Sequence, residues 1–132
     1  MSWRWISKGA LILLHNESLA VHGGAPGLRD EGLLDSALAR ALNLDAYADP
    51  GQPPDACALA AAYAAGVAQN HPFVDGNKRA ALLAAGLFLH LNGLRLTASQ
   101  ADTTLTMLAL AAGDLDEDAF AAWLRRHTAP KG

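Results

Sequence analysis

Two long stretches of the chain, Ala56–Val74 and Ala80–Leu94, contain no acidic, lysine or arginine residue, and only a short charged segment separates them. Both are rich in alanine and leucine and are apolar nearly all the way around a helix, which is typical of helices buried at the centre of a bundle. The first is interrupted by polar residues near its end, and the second is shorter than the roughly 20 apolar residues that a membrane span needs. We therefore expect two central core helices and no association with a membrane.

The rest of the chain also predicts an all-α fold. Valine and isoleucine together number only five, whereas strands favour β-branched residues. Capping residues and glycine or proline turns divide the chain into about six helices that form a compact bundle. The expected helices run from Lys8 to about Val21, from Glu31 to about Leu44, from Asp55 to about Asn70, from Asn77 to Asn92–Gly93, from Ser99 to Gly113, and onward from Asp116.

Length and charge limit the possible function. With 132 residues, the chain predicts one domain over residues 1–132 with a single core. A formal net charge of -3 argues against a general nucleic-acid binder, although it allows a local anion site. The single cysteine, Cys57, excludes an internal disulfide and is expected to be a small buried hydrophobe. The first ten residues lack a secretory signal pattern, and we expect a cytoplasmic protein.

The segment His71–Arg79, between the two central helices, carries an unusual concentration of reactive groups. An imidazole changes charge near neutral pH and suits His71 as a proton acceptor for a hydroxyl nucleophile. Asp75 is an oxygen ligand that suits Mg²⁺. Gly76 allows backbone N–H groups to converge on an anion at the start of a helix. Together with two cations, Lys78 and Arg79, these groups suit phosphoryl or nucleotidyl transfer. On the residues alone, a structural turn followed by a helix cap remains an equal alternative.

The string HPFVDGNKR in this segment resembles the signature of the Fic/Doc superfamily, HPFx[D/E]GN[G/K]R. Lys78 at its eighth position is similar to the version in Doc (death-on-curing) toxins. The resemblance extends over roughly Trp3 to Arg126, including the stretch from His22 to Leu34. It implies a compact helical bundle with the motif loop between two central helices.

The resemblance also implies a role for each residue of the first half of the motif. His71 would be the general base that removes the proton of the target hydroxyl. Phe73 would point inward and anchor the loop in the core. Asp75 would hold Mg²⁺.

The second half of the motif would bind the nucleotide. Gly76 and Asn77 would form an anion hole, and Lys78 and Arg79 would hold the phosphates of ATP. Fic proteins with glycine in place of the lysine transfer AMP, whereas Doc proteins transfer the γ-phosphate. Lys78 therefore favours a protein kinase of serine or threonine hydroxyls over an AMP transferase, which stays the first alternative. A non-catalytic binding module is the second.

Partners are likewise implied by the resemblance. The Doc substrate is translation elongation factor Tu, and modification of this factor halts protein synthesis. The partner is a Phd-like antitoxin, which we expect to lay an apolar helix into a groove beside the motif loop. An internal inhibitory helix of the form [S/T]-x-x-x-E-[G/N] is not visible, so restraint is expected from that separate chain.

Several residues outside the motif have less specific interpretations. Arg29 is expected to be a solvated charge beside Asp30, a helix cap, with contact to the nucleotide or target as the alternative. The glycines between His22 and Arg29 predict a backbone turn, because no strand precedes them as in a phosphate loop. Trp3 and Trp5 are expected to anchor the N-terminus on the bundle, with an antitoxin contact as the alternative.

The histidines outside the motif lack neighbouring ligands at metal-binding spacing. His15 and His22 are therefore expected to be polar surface or hydrogen-bonded core residues. His90 is expected to be a hydrogen-bonded core histidine, because its helix is predicted to be buried. His127 is expected to be solvated at the end of the last helix.

Overall fold

The computed structural model describes residues 2–132, which form six α-helices and two short β-strands. The helices are α1 (Lys8–His22), α2 (Glu31–Ala46), α3 (Ala56–Asn70), α4 (Asn77–Leu91), α5 (Gln100–Ala112) and α6 (Glu117–Arg126). The strands are β1 (Leu94–Leu96) and β2 (Thr128–Pro130). The all-α fold class and the six expected helices are confirmed.

Five helices begin after a serine or aspartate whose side chain caps the first turn. In each case an oxygen of the cap accepts a hydrogen bond from the backbone N–H three residues further on, which satisfies one of the free N–H groups of the first turn. The caps are Ser7, Asp30, Asp55, Ser99 and Asp116. Helix α4 differs, because it begins after Gly76 with no side-chain cap.

Helix α3 lies at the centre of the bundle and packs against α2, α4, α5 and α6. Its small side chains allow neighbouring helices to approach closely. At Gly66, an added Cβ would lie only 3.0 Å from the Cα and the carbonyl oxygen of Ala37 in α2. The expectation of a third helix buried at the centre of the bundle is confirmed, and Cys57 is buried in it as expected. Within residues 2–132, no helix has both the length and the apolar character needed to cross a membrane.

Helix α4 is buried on one face only, which corrects the expectation that it is buried all round. Phe88 lies on the buried face, and the rings of Trp3 and Trp5 pack on it with centroid distances of 5.9 and 5.7 Å. The N-terminus is therefore anchored on the bundle, as expected. Leu82 and Leu83 on another part of the helix are only half-buried and line a cavity.

The two strands were not expected from the sequence. β1 pairs antiparallel with β2, and Arg95 lies opposite Ala129 at the centre of the ladder. Segments of three residues are too short to show a period-two pattern that can be recognised. The pairing joins the connection between α4 and α5 to the chain that follows α6, so it closes the bundle at the end of α4.

Candidate active site

The motif loop between α3 and α4 opens into the largest of the described cavities, about 830 Å³ in volume. Helix α5 forms the opposite wall, and Ser18 and His22 of α1 line the edge. The motif contributes His71, Val74, Asp75, Gly76, Asn77, Lys78 and Arg79 to the lining. The fold therefore brings the motif's imidazole, carboxylate and two cationic side chains into one concave space large enough for a nucleotide.

His71 ends α3 in the left-handed conformation, with φ 50° and ψ 55°. Its side chain is exposed. The carbonyl oxygen of His71 accepts a hydrogen bond of 2.7 Å from Nε of Arg29, and the carbonyl oxygen of Asn70 accepts one of 2.9 Å from Nη2 of the same guanidinium. Arg29 is therefore a cap of the α3 C-terminus. It is exposed, but it is neither a free solvated charge nor one of the residues that line the cavity.

The glycine-containing turn after α1 packs along the start of the motif loop. Leu28 forms an isolated antiparallel bridge with Phe73, and the N–H of Val74 donates to the carbonyl oxygen of Gly27 at 3.0 Å. The expected backbone turn is confirmed, and it also supports the loop. Phe73 is 2% exposed and points into the core.

The side chain of Asn77 is occupied by the loop itself. Its Oδ1 accepts from the N–H of Phe73 at 2.9 Å, and its Nδ2 donates to the carbonyl oxygen of Phe73 at 3.0 Å. Both ends of the side-chain amide therefore already have partners. What Asn77 can offer an anion is its backbone N–H.

Asp75 lies at the cavity surface and both of its carboxylate oxygens accept backbone hydrogen bonds. Oδ2 accepts from the N–H of Ala25 at 3.1 Å, and Oδ1 accepts from the N–H of Gly76 at 2.8 Å. These two bonds, that of Ala25 first, hold the pKa of the Asp75 carboxyl below its ordinary value. The group is therefore ionised at neutral pH.

The donor set around Asp75 fits Mg²⁺ that is bound together with phosphates. Among residues 2–132, no three His, Cys, Asp or Glu side chains are grouped closely enough to hold a metal by themselves. Mg²⁺ usually takes only one or two carboxylates and completes its shell with phosphate oxygens and water. An exposed, ionised carboxylate at the edge of a cavity that also presents two cations meets that requirement.

The start of α4 provides free donors for an anion. The N–H groups of Asn77, Lys78 and Arg79 have no acceptor in the described part of the chain, as expected for the first turn of a helix. The N–H of Gly76 is not among these free donors, because it donates to Oδ1 of Asp75. Nη1 of Arg79 is buried and also has no partner among the described residues. A buried guanidinium N–H without an acceptor is costly, and a phosphate oxygen in the cavity would satisfy it.

The buried side chain of His15 in α1 supports the motif loop. It is 1% exposed, its Nε2 lies 2.9 Å from the carbonyl oxygen of Asp75, and its ring packs on Phe73 at a centroid distance of 4.1 Å. Because the acceptor is a carbonyl, Nε2 carries the proton. Burial lowers the pKa of His15, so the ring is neutral. At Gly76, which has φ 74°, an added Cβ would lie 2.9 Å from Cε1 of His15. The sequence predicted His15 as a core or surface histidine but did not place it under the motif.

The other histidines outside the motif make neither of the two contacts that His15 makes with the motif loop. His22 is exposed and lines the edge of the cavity. His90 is exposed, and Nζ of Lys131 lies 3.2 Å from its Nδ1, so the expectation of a core histidine was wrong. Its helix is buried on the opposite face only. His127 is half-buried rather than solvated, because its ring packs on Trp123 at 4.7 Å.

Known proteins of similar sequence point to one family. The chain matches the model of the Fic/DOC family over residues 5–89. It is similar to a protein of Escherichia phage P1 named protein kinase doc, with 36% identity over 123 residues that cover 93% of this chain and 94% of the relative. It is also similar to a Mycolicibacterium smegmatis protein named toxin Doc, with 42% identity over 108 residues that cover 77% of this chain and 78% of the relative.

Proposed function

The chain belongs to the Fic/DOC family, and from this premise we propose that it is a Doc-type toxin that phosphorylates a protein hydroxyl at the expense of ATP. Two relatives, similar over most of the chain, are named a toxin and a protein kinase, and both names support this proposal. The observation that carries it is the cavity at the motif loop. It brings His71, Asp75, Lys78 and Arg79 to one space beside the free N–H groups of α4.

The proposed reaction uses the two ends of the motif separately. His71 accepts the proton of the target hydroxyl, whose oxygen forms a bond to the γ-phosphorus as the bond to the ADP oxygen breaks. The side chains of Lys78 and Arg79 and the N–H groups of the first turn of α4 hold the phosphate oxygens. Asp75 would hold Mg²⁺, which neutralises phosphate charge when it is bound.

The proposal that the γ-phosphate of ATP is transferred, rather than AMP, rests on Lys78. Lys78 is exposed and lines the cavity. We expect its side chain to fill space beside the phosphates and so to favour a nucleotide orientation in which the γ-phosphate faces His71. The test is to supply ATP labelled at either the γ or the α position. We expect label in the target protein from γ-labelled ATP only. Label from the α position would make the protein an AMP transferase.

We propose translation elongation factor Tu as the target, with serine or threonine as the modified residue, and the cytoplasm as the place of action. The support is the resemblance of the motif to that of Doc toxins. A cell can carry such an enzyme only if it is held inactive, and a Phd-like antitoxin would provide that restraint.

The structure offers a groove of suitable character for the antitoxin. A cavity of about 570 Å³ runs beside the motif loop between α1 and the turn that follows it. Its walls are mostly apolar and include Ile12, Leu19, Ala20, Leu28 and Phe73. An amphipathic helix of the antitoxin would bury its apolar face there, because helix-in-groove binding uses a surface of this kind.

A further inference from the structure

The backbone of His71 has the left-handed conformation, which residues with a side chain normally disfavour. It is the only non-glycine residue with positive φ in the part of the chain that the structure describes. A left-handed residue with a Cβ persists only where its surroundings hold it in place. Within residues 2–132, however, the imidazole ring itself has no hydrogen-bond partner, so no carboxylate orients it as in many catalytic bases.

Most of the contacts that hold this backbone come from the turn before α2. The carbonyl oxygens of Asn70 and His71 accept from the guanidinium of Arg29. The carbonyl oxygen of the next residue, Pro72, accepts from the backbone N–H groups of Arg29 at 2.7 Å and Asp30 at 3.1 Å. Three consecutive carbonyl groups around the proposed base are therefore fixed, two of them by a single side chain.

We propose that Arg29 is a positioning residue for His71. Its planar fork binds two carbonyl oxygens at once, and its positive charge suits the C-terminal end of α3. Because it does not line the cavity, it acts on the reaction only through the placement of the imidazole. The nucleotide site lies at the other end of the loop, where Asn77 and His15 hold the backbone. Loss of the two hydrogen bonds from the Arg29 guanidinium therefore reduces kcat and leaves the KM for ATP unchanged.

This inference rests on the proposed function, in which His71 is the general base. The test compares Arg29→Gln with Arg40→Gln in the full chain. Arg40 is a matched control, because its guanidinium also joins two distant parts of the chain: it pairs with Glu117 in α6 and lies far from the motif in sequence. We expect kcat to fall by about tenfold to a hundredfold in Arg29→Gln, the scale of a small misplacement of a reacting group, with the KM for ATP within about twofold. Arg40→Gln should keep the wild-type kcat.

A rescue experiment separates positioning from general stability. In Arg29→Ala, guanidinium chloride far below denaturing concentrations should restore part of kcat, and ammonium should not. A wild-type kcat in Arg29→Gln, an equal loss in Arg40→Gln, or a rise in the KM for ATP alone would overturn the proposal. The last result would place Arg29 on the nucleotide.

Hydrogen exchange at the backbone amide of His71 tests whether Arg29 holds this backbone, and it needs no measurement of enzymatic activity. This amide donates to the carbonyl oxygen of Val67 at 3.2 Å. Its exchange should become faster in Arg29→Gln and stay unchanged in Arg40→Gln. If the wild-type protein transfers no phosphate, the proposed function fails, but this measurement still decides whether Arg29 holds His71. Equal exchange in both variants and the wild type would refute the positioning role of Arg29.

Discussion

The Nε2 atom of His15 lies 2.9 Å from the carbonyl oxygen of Asp75, although 60 residues separate the two in the chain. This contact links the middle of α1 to the loop that carries the proposed metal ligand. It fixes the peptide group between Asp75 and Gly76, from which the first turn of α4 follows. The free N–H groups at the start of α4 are thus placed by a buried neutral imidazole as well as by the motif.

Replacing His15 tests this support. His15→Met leaves the Asp75 carbonyl without its donor, and we expect a loss of about 1–3 kcal/mol in the free energy of unfolding. His15→Gln keeps an N–H donor on a side chain of similar length and should lose less. Urea unfolding of the two variants and the wild type gives the comparison. Equal losses would show that His15 acts by packing on Phe73 and not through the hydrogen bond.

The second prediction concerns Arg79, whose buried Nη1 has no partner in the described residues. Arg79→Ala should weaken ATP binding by about 1.5–3 kcal/mol, because a charge-assisted hydrogen bond to phosphate is lost. Calorimetric titration with ATP and Mg²⁺ provides the measurement. Arg95→Ala removes the same charge from an exposed strand position and should bind as the wild type does. Unchanged affinity in Arg79→Ala would exclude this residue from the nucleotide site.

The helices could be predicted from the sequence, and the motif could be recognised in it, because both depend on local patterns. Caps such as Asp30 and Asp116 act on N–H groups three residues away, and the motif lies within nine consecutive residues. The supports of the motif are different. Arg29 and His15 reach it from 42 and 60 residues away, and a single arginine or histidine in a sequence does not indicate which backbone group it will bind.

The remaining differences have a similar cause. Helix α4 has an apolar composition on several faces, but only one face packs in the core. Part of the remainder lines the cavity, and His90 is exposed. The pairing of β1 with β2 depends on how α6 returns the chain past the end of α4. Neither the exposure of His90 nor the pairing of the two strands can be predicted from the hydrophobic periodicity of the sequence, because both follow from the arrangement of whole helices.

The third prediction is a dependence of stability on pH at the cap of α3. A hydrogen-bonded ion pair with Arg125 is the main cause that lowers the pKa of the Asp55 carboxyl below its ordinary value near 3.8. A lowered folded-state pKa means that the stabilisation is present at neutral pH and is lost as the pH falls below about 4. The pair is largely exposed, so it contributes roughly 0.2–1 kcal/mol.

Asp55→Asn keeps the helix cap and removes the ion pair. We expect this variant to be less stable than the wild type at pH 7 and to approach it in stability near pH 3, as followed by urea unfolding. Asp114→Asn, at an exposed turn outside the ion pairs of the described residues, serves as the control. A difference between Asp55→Asn and the wild type that is the same at both pH values would contradict the ion-pair explanation.

The fourth prediction concerns the groove along α1. Ala20 is an exposed residue that lines it, so Ala20→Glu should place a charge in the path of an apolar antitoxin helix without disturbing the core. We expect binding of a Phd-like antitoxin to weaken at least tenfold. Ala112→Glu, at an exposed position of α5 outside this groove, should bind normally. Full affinity in Ala20→Glu would mean that the antitoxin binds elsewhere.

The most direct test of the proposed kinase is the intact mass of elongation factor Tu after incubation with this protein, ATP and Mg²⁺. The wild type should add the mass of one phosphate. His71→Ala should add nothing in the same time, because loss of a general base slows transfer by roughly 10²–10⁴-fold, while its circular dichroism stays that of the wild type. Addition of the mass of AMP, or the same phosphate from His71→Ala, would contradict the account.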